Sequence, residues 1–211
     1  MFKYERNSNV FETIDTEEKA YWLGFLYADG YVNEKDNLII VGLKHEDKEH
    51  IVKFQSFLQT NAPYVDKVNN GGRPYCFFRL YDKKMVKDLY TQGLYNKKSL
   101  TLEPNFNMPS ELIIHWTRGL FDGDGSIYPH TSPRAHERYY IGLVGTESIL
   151  KYTQQVWGVQ RKLDYNRSVP KFTICRKEEV NRILHLLYDN SNIFLDRKKN
   201  LAYKAIEINL Q

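Results

Sequence analysis

Two carboxylates, Asp29 and Asp124, occupy the same place in two copies of one short pattern. Residues 21–30 read YWLGFLYADG and residues 116–125 read WTRGLFDGDG. Each copy is an apolar segment with small residues four apart, then an acid, then glycine. Gly24 and Ala28 share a helix face at that spacing, as do Gly119 and Gly123. Small side chains there allow two helix backbones to approach closely. Such packing would set the C-terminal ends of the helices side by side, and Asp29 beside Asp124. Like charges at two negative helix ends repel one another, which a divalent cation relieves. Hard oxygen ligands favour Mg²⁺ or a similar ion. Ions held between acids suit phosphodiester hydrolysis, because they activate water and stabilise the leaving oxygen. A nearby lysine would polarise water or neutralise phosphate charge. Lys98 in LYNKK and Lys198 in FLDRK are matched candidates, 69 and 74 residues after their respective acids.

The elements that must carry these groups also repeat. Asp15 or Thr16 is placed to cap the first helix, Glu17 and Glu18 suit its positive end, and Gly30 ends it. Extended runs follow around YVNE and NLIIVGLK, then a helical pattern from His45 with Ile51, Phe54 and Phe57 on one face. YVDKVNN, a GGRP turn and YCFFRLYD predict a hairpin, and KKMVKDLYTQGL a closing helix. Residues 95–109 contain two prolines and little periodicity, so they divide a first half, 1–94, from a second, 110–211. The second half predicts a helix capped by Ser110, strands at SIYPH and ERYYIGLVG, and a helix from Thr146. A hairpin of VQRKLDYN and SVPKFTIC, a helix at KEEVNRILHLLYDN and a last helix at LAYKAIEIN complete it. The expectation is an α+β fold of two pseudo-symmetric αββαββα repeats.

The bulk composition is permissive. A 42% apolar share with 16 tyrosines suffices for a core, so global disorder is not expected. A net charge of +4 is compatible with a nucleic-acid partner without specifying one. Cys76 and Cys175 stand in no C-x-x-C pattern, which favours reduced thiols and an intracellular, non-secreted protein. No run approaches a membrane span, and the N-terminus lacks an apolar signal core. His45 and His50 are five apart, the wrong spacing for H-E-x-x-H, and His130 and His136 bracket a loop without cysteines. Trp22, Trp116 and Trp157 fall in or near helices and fit core or interface packing.

YWLGFLYADG and WTRGLFDGDG resemble the paired signature of the LAGLIDADG homing endonucleases, and NKKS and DRKK resemble the lysine segments of that family. The resemblance covers residues 15–208 and the order of elements. It implies a monomeric, single-chain, two-repeat enzyme whose saddle-shaped antiparallel sheets lie in the DNA major groove, with helices on the other face. It implies site-specific cleavage of both strands of a long duplex target with Mg²⁺ or Mn²⁺, and Ca²⁺ as a non-catalytic substitute. Asp29 and Asp124 would bind metal, helped by the carbonyls of Ala28 and Gly123, with Lys98 and Lys198 as the catalytic lysines. It also admits intron RNA as a partner, since some proteins of this type are splicing maturases, and non-cleaving regulators use degenerate forms of the fold. An intron-encoded or free-standing enzyme is the expectation. Three departures stand out. Tyr27 replaces the first acid of motif one, while Asp122 keeps it in motif two. Thr117 and Arg118 replace an apolar pair, which would loosen the helix interface or set a charge at its rim. The chain is also short for a two-repeat member.

A two-stranded ribbon fits the major groove, where arginine, lysine, asparagine and glutamine read base edges. In the first half the candidates are Lys35, Asn37, Lys67, Asn69, Asn70, Arg73 and Arg79. In the second they are His130, Arg134, His136, Arg138, Arg161, Lys162, Asn166, Arg167, Lys171 and Arg176.

Overall fold

A computed structural model describes residues 3–69, 71–96, 101–132, 135–165 and 169–210. Helix α1 spans Glu17–Asp29 and α4 spans Ile113–Asp124. Between them run β1 (Gly30–Asn33), β2 (Leu38–Lys44), α2 (Lys48–Phe57), β3 (Tyr64–Val68), β4 (Pro74–Tyr81) and α3 (Lys83–Thr91). After α4 come β5 (Gly125–Ser132), β6 (Ala135–Val144), α5 (Glu147–Trp157), β7 (Lys171–Ile174), α6 (Lys177–Tyr188) and α7 (Asp196–Leu210). The strands form two antiparallel sheets, ordered β1-β2-β4-β3 and β5-β6-β7.

Local chemistry explains most boundaries. Of the two capping candidates for α1, Thr16 accepts the Lys19 amide, while Asp15 pairs with the Lys19 ammonium at 2.7 Å. Gly30 ends α1 in an extended conformation; a β-carbon there would lie 2.6 Å from the Leu26 carbonyl, so close approach requires the glycine. Asp82 caps α3 and Thr146 caps α5, each accepting a first-turn amide. Ser110 does not cap α4. A 3₁₀ turn at Ser110–Leu112 precedes that helix, and the serine hydroxyl bonds the Glu111 carboxylate instead.

Strand alternation turns one face of each sheet into the core. Ile39, Val41, Leu43, Cys76, Phe78 and Leu80 meet Ile51 and Phe54 of α2 and Met85 and Leu89 of α3. Ile141, Leu143, Phe172 and Ile174 meet Leu150 of α5 and Ile183 and Leu187 of α6. The two cores join into one through α1 and α4, and all three tryptophans are fully buried. The segment between the halves packs as well. Phe106 lies against Tyr27 and Trp116, and the Leu102 carbonyl accepts the Thr146 hydroxyl.

The expected second hairpin is only half formed among the described residues. β7 is a full strand, but its partner segment contributes a single bridge, Asp164 to Lys171. The segment before that bridge is held elsewhere: the Arg161 amide donates to Gln154 of α5, and its guanidinium pairs with Glu179 of α6. α7 covers part of the β6 edge that β7 leaves open. Asn209 accepts the Tyr139 amide at 2.8 Å and donates to the Tyr139 carbonyl at 3.4 Å, taking the place of a neighbouring strand.

Candidate active site and nucleic-acid surface

The site is positioned by reciprocal glycine contacts between α1 and α4. A β-carbon on Gly24 would fall well inside 3.0 Å of the Trp116 carbonyl, and one on Gly119 equally close to the Tyr21 carbonyl. Tyr21 and Trp116 open the two motif copies, so each glycine receives the matching carbonyl of the other helix. This is the pairing expected of a pseudo-twofold axis. One turn further on, a β-carbon on Gly123 would overlap that of Ala28 and lie 3.3 Å from Oδ2 of Asp29. The small-residue stripe therefore delivers the Asp29 carboxylate to the residue preceding Asp124. Asp29 is exposed and Asp124 half-buried, so both can be reached from solvent.

Lys198 lies beneath this end, only 5% exposed. Its ammonium donates to the carbonyls of Phe121 (2.7 Å), Asp122 (2.9 Å) and Gly125 (2.6 Å). These carbonyls lie at and just beyond the C-terminus of α4, where that of Phe121 also accepts the Gly125 amide, so the lysine acts as a buried cap. Burial lowers its pKa to about 8, against the opposing pull of Asp122, Asp29 and Asp124. The Gly123 carbonyl is not among its three acceptors. The partner lysine, Lys98, lies outside the described residues.

Asp122 and Tyr27, the unequal pair, both tie their helix to the segment leading to a lysine. Asp122 is fully buried and accepts the Tyr21 hydroxyl (2.7 Å), the Tyr188 hydroxyl (2.6 Å) and the Leu195 amide (2.7 Å). Burial raises its pKa, against the opposing effects of Lys198 and these three donors. Tyr27 donates its hydroxyl to the Gln92 carbonyl at 2.7 Å. Arg118 is not a rim charge, since it is 1% exposed. It donates to the carbonyls of Ile193 (2.9 Å) and Leu187 (3.2 Å) and pairs with Glu17 at 2.6 Å. Thr117 accepts the indole of Trp157 at 3.2 Å. Polar residues at these apolar-looking positions thus pin α4 to α1, to α5 and to the chain at the end of α6 instead of loosening it.

His50 joins the same network. Tyr21 gives its one hydroxyl proton to Asp122, so His50 Nε2, 3.0 Å away, must donate to the tyrosine oxygen. That places a proton on Nε2, and the buried Nδ1 has no hydrogen-bond partner among the described residues. Burial accordingly lowers the His50 pKa to about 3. The unfolded chain takes up this proton near pH 6.5, and the folded one resists it until about pH 3. Stability from this group is therefore intact above pH 6.5 and declines through that window, by about 5 kcal/mol in all. Urea melts of His50→Gln against the parent between pH 7 and 4 should show the parent losing stability faster; parallel losses would contradict this role.

The outward faces of the sheets carry several of the proposed DNA contacts. Arg79 of β4 and Lys67 of β3 stand on the first, over the Phe77 ring at 5.2 and 5.0 Å. On the second, His130 stacks on Tyr140 at 4.6 Å, Arg138 covers the same ring at 5.3 Å, and Lys171 pairs with Asp164 at 3.5 Å. Lys35 and Arg73 are exposed in the two turns of the first sheet, Lys162 precedes the bridge, and Arg176 stands at the start of α6. Two asparagines shape turns. Asn69 Oδ1 accepts the amides of Gly71 and Arg73, each at 3.0 Å, and Asn37 has a positive φ of 52°. Arg161, committed to Glu179 and the Gln160 carbonyl, is not on a strand. His136 falls within β6, while Asn70, Arg134, Asn166 and Arg167 lie outside the described residues. Sequence reasoning missed the Asp122 and Arg118 networks and the aromatic residues of the outward faces. Alternation in YCFFRLY was the available signal for the latter.

This architecture is that of the LAGLIDADG homing endonucleases in their single-chain, two-repeat form. The meganuclease I-SmaMI bound to uncleaveable DNA superimposes with a TM-score of 0.64 at 12% identity, over 94% of this chain and 90% of that one. The homing endonuclease I-GzeII in complex with its DNA target gives 0.61 at 14% identity, over 89% of each chain. I-AabMI bound to uncleaved DNA gives 0.60 at 13%, again over 89% of each. In sequence, an uncharacterized protein of Methanocaldococcus jannaschii is 27% identical over 132 residues, 58% of this chain and 46% of that protein. The chain thus matches about half the length of this curated relative. No protein-family model matches the chain. No helix among the described residues is long and apolar enough to cross a membrane.

Proposed function

We propose that the protein is a divalent-metal-dependent endonuclease that cuts both strands of a specific duplex DNA target. The observation that carries this reading is the reciprocal packing of Gly24 and Gly119, which brings the last acid of each motif to one solvent-open end of a helix pair. Among the described residues no cluster of three or more His, Cys, Asp or Glu could hold a metal. The donor set of this reading is two carboxylates, Asp29 and Asp124, with the carbonyls of Ala28 and Gly123. That all-oxygen set suits Mg²⁺ or Mn²⁺, which keep waters and bind substrate phosphates, and admits Ca²⁺ as a non-catalytic substitute. Such an ion, when bound, activates water and stabilises the leaving oxygen of the phosphodiester.

The chain's own residues set the geometry. Lys198 fixes the end of α4 through three carbonyls, and Asp122 holds the segment that carries Lys198. Lys98 is proposed for the matching role in the first half. The outward sheet faces bind the duplex, with cations drawing in phosphates and side chains meeting base edges. Because one chain supplies both acids, a monomer completes the centre. Cleavage of a plasmid library of random target sites tests the reading: Mg²⁺ should yield double-strand breaks at one enriched sequence, and a chelator should abolish them. Equal or absent cutting in the two conditions would refute it.

A further inference from the structure

The outward face of the four-stranded sheet is more apolar than polar base recognition requires. The register sets Gly42, Phe77 and Val65 in one cross-strand row and Ile40 beside Arg79 in the next. Val65 is 41% exposed, and Phe77 and Ile40 are half-buried, all on the side away from the core. Tyr75 stacks against Phe77 at 6.3 Å. A β-carbon on Gly42 would meet nothing nearer than the Phe77 β-carbon at 3.8 Å, so the glycine leaves an open floor beside the ring. The matching face of the three-stranded sheet is polar by comparison. Ser126, Gly142 and Thr173 form one cross-strand row there, and His130 pairs with Arg138, around Tyr128 and Tyr140.

We propose that the N-terminal sheet reads thymine 5-methyl groups through Phe77, Ile40 and Val65, while the C-terminal sheet reads its half-site by hydrogen bonds. This rests on the reading of the protein as a duplex-DNA binder. The thymine methyl is the apolar group that base pairs present in the major groove. An apolar side chain set against the polar edges of guanine, cytosine or adenine strips water from them and returns no hydrogen bond. Set against a methyl, it buries apolar area without that loss. Lys67 and Arg79 lie over the same ring. The face therefore suits a polyanion that carries apolar groups in its groove. The N-terminal half-site is accordingly rich in thymine at its contacted positions, and the two half-sites differ in kind.

Duplexes selected by binding from a random pool in chelator provide the test, remade with deoxyuridine for thymidine one half-site at a time. This swap removes the methyl alone. Affinity should fall about fourfold per contacted methyl in one half-site and less than twofold in the other. Phe77→Ser, a change on the outward face, should keep the parent's melting behaviour and lower that uracil sensitivity by the share of one contacted methyl or more. Selected duplexes bound equally with thymine or uracil would overturn the proposal while leaving DNA binding intact, as would an unchanged sensitivity in Phe77→Ser. A pool that yields no bound duplex would instead refute the DNA-binding reading itself.

Discussion

Gly119→Ala should destabilise the protein by roughly 3 kcal/mol or more, the upper end of what overpacking costs. The added carbon would be driven into the Tyr21 carbonyl and within 3.0 Å of the Phe25 amide. Both obstacles are backbone, so no side-chain rotation can relieve the clash. Separating α1 from α4 would strip the shared core and part Asp29 from Asp124 as well. Gly24→Ala meets the Trp116 carbonyl in the same way and should behave alike. Gly42→Ala is the control, since the nearest atom to its β-carbon is 3.8 Å away and its stability should stay near the parent's. Urea melts of the three variants check the ordering. A Gly119→Ala protein as stable as Gly42→Ala would mean that the helices do not cross at this point.

Lys198→Met should cost about 3–5 kcal/mol, the range for breaking a buried charge pair from one side. Three carbonyls around the end of α4 would lose the ammonium, Phe121 keeping the Gly125 amide, and buried Asp122 would lose a neighbouring positive charge. The loss should extend to cutting, because those carbonyls bracket the Gly123–Asp124 peptide. Lys204→Met, on the exposed side of the same helix, should change stability by no more than about 0.5 kcal/mol. Equal effects in the two variants, measured by denaturation, would remove Lys198 from the support of the site.

The motif helices, their small-residue seam and the order of elements through β6 were legible because helix and strand periods are local signals. The two acids were legible for the same reason, as each ends a helix marked by its own seam. Arg118 was not, because its partners at Ile193, Leu187 and Glu17 come from far away in sequence and nothing local marks a position as buried. Lys198 was found by its match to Lys98, yet its role as a carbonyl cap depended on depth, which spacing does not report. The missing half of the second hairpin follows from competition. Residues that could have extended a strand at Arg161 are bonded to α5 and α6 instead. Alternation marked the outward aromatic face, but charge drew attention to its lysines and arginines first.

In the proposed function, Asp29 and Asp124 form one metal-dependent cleavage centre. This is tested most directly by comparing the parent with Asp29→Asn/Asp124→Asn on a selected target duplex. Binding in chelator and cutting in Mg²⁺ would be measured side by side. The double variant should bind as the parent does and cut neither strand. A double variant that binds and still cuts at the parent's rate would contradict this reading.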